Sequence, residues 1–254
     1  MSRLVRAELK KLTTTRFVWW LLLGSLALIA VNIGALVLLA GREIGGQQAM
    51  PPLTDPTTLH QVFAQATGVV VFPLVVGVIL LTTEYRNHTM ATTFLATPRR
   101  GRVVTAKVIV AAFVGLLYGV VGAALIAAMT SALLPLKQIS IDWGGDPGRI
   151  VAGGIVVSTL YCVLGVGLGA LIRSQVAAVL VAVVGALLID ATLAQLLPEV
   201  GRFTPAGAAA ALTLGEPSRG VHYLTPWLGG LVLVGYALLA AVVGTWTTVR
   251  RDLS

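Results

Sequence analysis

The chain has 254 residues, 57% of them hydrophobic and only 11% charged, and carries a formal net charge of +8. A soluble domain holds about 25% charged residues, so this composition belongs to the membrane class, with room for one helical membrane domain and none for an added soluble ATPase or kinase domain. The positive charge gathers beside apolar runs, without the motifs of a nucleic-acid module, which predicts anchoring at a membrane's inner face and no nucleic-acid partner.

Residues 1–16 come first. Val5, Leu9 and Leu12 share one helical stripe, with Arg3, Arg6 and Lys10 roughly opposite. This predicts an amphipathic helix lying on the inner membrane surface. The apolar run that follows, 17–40, is longer than the hydrophobic region of a signal peptide, so it reads as a retained first span. Five more apolar runs follow, at 62–82, 108–134, 150–172, 176–197 and 227–249, each long enough to cross the membrane. The expected fold is therefore an all-α membrane protein with six transmembrane helices in one domain.

Charge sets the expected orientation. With the N-terminus cytoplasmic, thirteen Lys and Arg residues fall on the inner side, and five (Arg42, Lys137, Arg149, Arg202 and Arg219) on the outer side. That bias predicts both termini inside. Trp19, Trp20, Trp143, Trp227 and Trp246 all fall near predicted span ends, as an aromatic belt requires.

Between the second and third spans lies a basic stretch, 82–107, with Arg86, Arg99, Arg100, Arg102 and Lys107 against one acid, Glu84. Within it, 84–98 reads as a short helix. Glu84 opens it, Met90, Ala91, Phe94 and Leu95 form an apolar patch, and Pro98 stops it. On residues alone it is an interfacial helix or a segment that inserts into a partner. Further on, the outer loop between spans five and six contains a short helix, with Thr204 as N-cap and Pro205 in its first turn. Its apolar character predicts a helix dipping into the outer leaflet, or packed on protein.

Few residues carry chemistry. Asp190, in the outer half of the fifth span, and Asn32, in the first, are candidates for a translocation path or a helix interface. Gly115, Gly119 and Gly122, and Gly165 and Gly169, have spacings that permit close helix approach. Pro73 predicts a kink in the second span. His60, His88 and His222 fall on opposite sides of the membrane, and no nucleophile–base pair is apparent. No metal, cofactor or catalytic site is expected. Cys162, the single cysteine, lies within an apolar run and forms no internal disulfide.

The stretch EYRNHTM, then FLATPRR, then Lys107, resembles the region between the second and third spans of ABC-2 type transporter permeases. There an acidic residue, a Gly-Thr pair and a P-x-R stop precede a lysine that starts the next span. AELKKLTTTR resembles the elbow helix of small bacterial members. The layout fits over nearly the whole chain, while the specific motifs cover these two stretches. His88 stands where the family usually has glycine.

The resemblance implies a bacterial cytoplasmic-membrane permease with no enzymatic activity of its own. ATP and Mg would be bound by separate cytoplasmic ABC ATPase subunits, and a second permease subunit, identical or different, would complete the path. The coupling residues would be Glu84, Tyr85, Arg86, His88, Thr89, Met90, Phe94, Leu95, Pro98 and Arg100, with Glu8, Lys10, Lys11 and Arg16 in the elbow helix. The sequence has no G-x-x-x-x-G-K-[ST] phosphate loop. Export of a hydrophobic or amphipathic compound (drug, antibiotic, peptide or lipid) is the expected activity. A membrane-embedded enzyme or an ion-coupled carrier are the alternatives.

Overall fold

A computed structural model of the chain describes residues 2–44, 47–48, 50–87, 100–172, 174–213 and 223–250. Apart from a two-stranded antiparallel ribbon, β1 (Glu43–Ile44) and β2 (Gln47–Gln48), the regular structure among them is helical.

The first helix, α1 (Ser2–Thr14), turns its apolar stripe inward. Leu12 is buried, and Val5 and Leu9 pack on the same cluster. One extended residue, Thr15, separates it from α2 (Arg16–Leu39). Val18, Leu22, Ser25, Ile29, Ile33 and Leu36 form the buried face of α2, spaced three and four apart as a helix requires. The opposite face is equally apolar and exposed at Trp20, Leu23, Val31 and Leu38, the all-round hydrophobicity of a membrane helix. Gly41, at a φ of +72°, ends α2 in the left-handed conformation that glycine adopts without penalty.

The second apolar run departs from the expected continuous helix over 62–82. It is divided into α3 (Pro56–Phe63), α4 (Gln65–Gly68) and α5 (Val71–Arg86). Asp55 starts α3 by accepting the Thr57 N–H at 3.2 Å. The breaks fall at Ala64 and Val69, where ψ opens to 10° and 12°. Pro73 explains the second break. Its ring excludes a helical carbonyl four residues earlier, at Val69, so the helix stops and restarts instead of kinking. Pro73 then occupies the third position of α5, where its missing N–H would have had no partner.

The third apolar run gives α6 (Arg100–Leu133), which begins eight residues before the expected 108 and takes in Arg100, Arg102 and Lys107. A 3₁₀ turn, Pro135–Lys137, follows it. Next come α7 (Asp146–Leu171) and α8 (Gln175–Val184), the latter capped by Ser174. A π-helical turn, Gly185–Ile189, joins α8 to α9 (Asp190–Leu196), so the expected 176–197 helix contains an irregular turn just before Asp190. Two short helices, α10 (Pro198–Gly201) and α11 (Pro205–Leu212), lead to α12 (Pro226–Arg250). Thr204 caps α11 by accepting the Gly207 N–H at 3.2 Å. Gly207, Ala208, Ala209 and Ala211 of α11 are buried, and the helix packs on α12 and α7.

The centre of the bundle is α7, wrapped by α5, α6 and α12. Small residues allow this. A Cβ on Gly77 would collide with the Cys162 carbonyl, and one on Gly165 with the Leu74 carbonyl, so α5 and α7 touch backbone to backbone. On the other side of α7, a Cβ at Gly115 would lie 2.8 Å from the Ser158 carbonyl, and one at Gly119 would lie 2.7 Å from the Ile155 Cα. Gly122 faces α2 at Ile29 instead. Without water to drive apolar surfaces together inside a bilayer, such close backbone contact supplies the packing.

Among the described residues, four helices are long and apolar enough to cross a membrane: Arg16–Leu39, Gly101–Lys137, Asp146–Leu171 and Pro226–Val243. Trp19, Trp20 and Trp227 are exposed near helix ends, whereas Trp143 sets its ring edge-on to Phe63 at 5.8 Å.

Candidate functional site

At the end of the bundle where α1 lies, three elements each contribute a charged side chain to their own apolar face. Glu8 lies within the Val5, Leu9 and Leu12 stripe of α1. Glu84 follows Leu80 and Leu81 by one helical turn on α5. Lys107 lies one turn after Val103 and Val104 on α6. Helical geometry therefore buries all three charges together, with Glu8 at 4%, Glu84 at 5% and Lys107 at 0% exposure.

They form a closed ring with Lys11. Lys107 Nζ donates to Glu8 Oε2 at 2.7 Å and lies 3.0 Å from Glu84 Oε1. Lys11 Nζ donates to Glu8 Oε1 at 2.7 Å and to Glu84 Oε1 at 2.9 Å. The third donor of Lys107 reaches the Leu80 carbonyl at 3.2 Å. Two acids and two bases leave the ring neutral, and the low dielectric that penalises each charge alone strengthens their attraction.

Within the ring, the charged forms of Glu8 and Lys11 are favoured. Burial pushes the Glu8 carboxyl up, but the charge and hydrogen bond of Lys107, joined by those of Lys11, hold it below its ordinary value. For Lys11, burial acts downward, while hydrogen bonds and charge from Glu8 and Glu84 raise it above its ordinary value. One atom stands outside the ring's bonding: Glu84 Oε2 is buried without a partner. Beside it is a cavity of about 310 Å³, bounded by α1, the start of α2, α5, α6 and Gln175 of α8.

The expected coupling and elbow residues therefore divide. Glu8, Lys11 and Glu84 meet in the ring. Glu84 does not open a separate helix, because it occupies the last full turn of α5 and faces inward. Tyr85 packs beside Leu81, Val103 and Ala170. Arg86 is exposed at the end of α5, Arg100 is the first residue of α6, and Lys10 and Arg16 are exposed. His88, Thr89, Met90, Phe94, Leu95 and Pro98 lie outside the described residues. Lys107, expected only as the start of a span, is the ring's most buried member. Its helical register with Val103, Val104, Val110 and Ala111 was the available signal.

The two polar residues expected inside spans are far apart in role. Asn32 lines an open cleft of about 370 Å³ with Gln61, Gln65 and Thr67, at the division between α3 and α4. Asp190 is buried, and its carboxylate accepts the backbone N–H of Ala206, so it joins Thr204 in satisfying the start of α11. Among the residues described, no cluster of three His, Cys, Asp or Glu side chains suits a metal ion.

Comparison with known families matches residues 4–189 to the ABC-2 family transporter protein family. The match covers most of the chain and includes every member of the ring. The chain thus belongs to the ABC-2 family of transporter proteins. It is a permease component of an ABC transporter and a multi-pass membrane protein, a transport component and not itself a catalyst. No curated protein matches it.

Proposed function

We propose that this chain is the membrane subunit of an exporter, driven by separate cytoplasmic ATPase subunits that bind ATP and Mg, and completed by a second permease subunit. Six spans cross the bacterial cytoplasmic membrane with both termini inside. Helix length supports this count. The continuous 175–196 helix is about 33 Å long, enough to cross, while α5 alone reaches about 24 Å and crosses only with α3 and α4.

The observation that carries the proposal is the buried ring. It ties α1, α5 and α6 together where the 88–99 segment leaves α5 and returns to α6. In this reading the ATPase grips the apolar patch Met90, Phe94 and Leu95, flanked by His88, Thr89 and Pro98. Its closure then moves three helices as one body. A pair of buried opposite charges transmits such a push better than apolar contact, because separating the charges costs more than sliding methyl groups. The cargo is hydrophobic or amphipathic, and the cleft at Asn32 lies on its path.

Co-purification with the partner ATPase tests this reading. Phe94→Asp puts a charge in the docking patch without touching the ring. The expected result is loss of ATPase from the purified complex, by about tenfold or more in affinity, with the melting temperature of the permease unchanged. Full retention of the ATPase by this variant would overturn the docking assignment.

A further inference from the structure

The cavity beside the ring has a chemical character that coupling does not use. Two of the residues that line it, Glu84 and Gln175, each keep one oxygen, Glu84 Oε2 and Gln175 Oε1, buried without a hydrogen-bond partner. Both are acceptors, so the missing group is a donor with more than one N–H or O–H. The ring does not supply it: Lys107 bonds Glu8 and Leu80 and pairs with Glu84 Oε1, Lys11 bonds Glu8 Oε1 and Glu84 Oε1, and neither reaches the two unpartnered oxygens. Arg86 borders the same cavity, exposed and without an ion pair among the described residues. Besides the ring's own side chains, Thr15 and Thr83, the remaining wall is apolar, with Leu12, Phe17, Val18, Ile79 and Leu80.

An interior acceptor pair, a cation beside it and an apolar wall match one kind of molecule from end to end. We infer that the cavity binds an aminophospholipid: its primary ammonium donates to Glu84 Oε2 and Gln175 Oε1, its phosphate meets Arg86, and its acyl chain runs along Phe17 and Val18. The depth agrees, because Trp19 and Trp20, 46% and 68% exposed, stand directly after Phe17 and Val18 and mark the headgroup level. The opposite order, a phosphate inside and an amine outside, would bring acceptor oxygens against two acceptors and leave both unpartnered. A choline headgroup lacks N–H donors and leaves both oxygens unpartnered. This assignment rests on the membrane placement of the chain and is independent of the ATPase partner.

The test uses the full-length protein in nanodiscs containing equal amounts of phosphatidylethanolamine and phosphatidylcholine with identical acyl chains. After transfer to mild detergent, the retained lipid is counted by native mass spectrometry. The inference predicts enrichment of the ethanolamine lipid by about tenfold, the discrimination expected of a site built to pair N–H groups. Glu84→Gln should bring the ratio close to one. Because that change also enters the ring, Gln175→Leu provides a variant outside it and should lower the ratio several-fold without changing the melting temperature. Soluble ethanolamine should not displace the lipid. Equal retention of the two lipids by the unaltered protein, or a ratio that both variants leave unchanged, would overturn the inference. Binding of soluble ethanolamine with no retained lipid would overturn the lipid source in favour of a free amine.

Discussion

Lys107 is the residue on which the cytoplasmic-side proposal turns. It is fully buried and held by two carboxylates and one carbonyl. Removing one partner from such a set leaves an uncompensated buried charge, which costs about 3–5 kcal/mol. Lys107→Ala should therefore lower stability by about that amount, measured as the melting transition in detergent. The double change Glu8→Gln and Lys107→Met removes one charge of each sign and should recover most of the loss. If the single change proves as stable as the original chain, the ring contributes nothing. The sequence revealed part of this site. Glu84 stood out as the one acid of the basic stretch, and Glu8 and Lys11 entered through the resemblance to an elbow helix. Their union with Lys107 did not, because positions 8, 84 and 107 meet only through the packing of three helices.

At the scale of the element, α7 shows how a pattern in sequence becomes a packing surface. Gly115 and Gly119 face it from one side, and its own Gly165 and Gly169 face α5 on another. The spacing was legible, but the partners were not, since small residues mark a close approach without saying to what. Gly165→Leu should prevent folding of the bundle, because the Leu74 carbonyl occupies the space its side chain needs. Gly34→Ala, where nothing lies within 4 Å, should leave the yield of folded protein unchanged and gain slightly from helix propensity. Comparable yields of folded protein from both variants, read by size-exclusion profile, would show that the α5–α7 contact is not tight. The divided 56–86 segment was the poorest reading from sequence. Hydropathy averages across Ala64 and Val69 alike, and Pro73 signalled a local irregularity but not that the helix would stop upstream of it.

The whole molecule follows from these two scales. A central helix packed through glycines gives a stiff bundle, and a neutral ring of charges locks its α1 end. The cleft at Asn32 lies at the first break of the 56–86 segment, across the second break from α5, so motion of α5 has a route to it through α4. Membership in the ABC-2 family and the apolar helices were legible from composition and from two short motifs. The route from ring to cleft was not, because it depends on where a helix breaks.

The central claim is that an ATPase acting at the basic segment changes the far cleft through the ring. It is tested most directly by the maleimide labelling rate of Asn32→Cys, in a Cys162→Ala background, with the permease and its partner ATPase together in proteoliposomes. ATP with vanadate should change that rate several-fold while the ring is intact. It should leave the rate unchanged when Glu8→Gln and Lys107→Met break the ring with the ATPase still bound. A labelling rate insensitive to ATP and vanadate with the ring intact, or equally sensitive without it, would contradict the account.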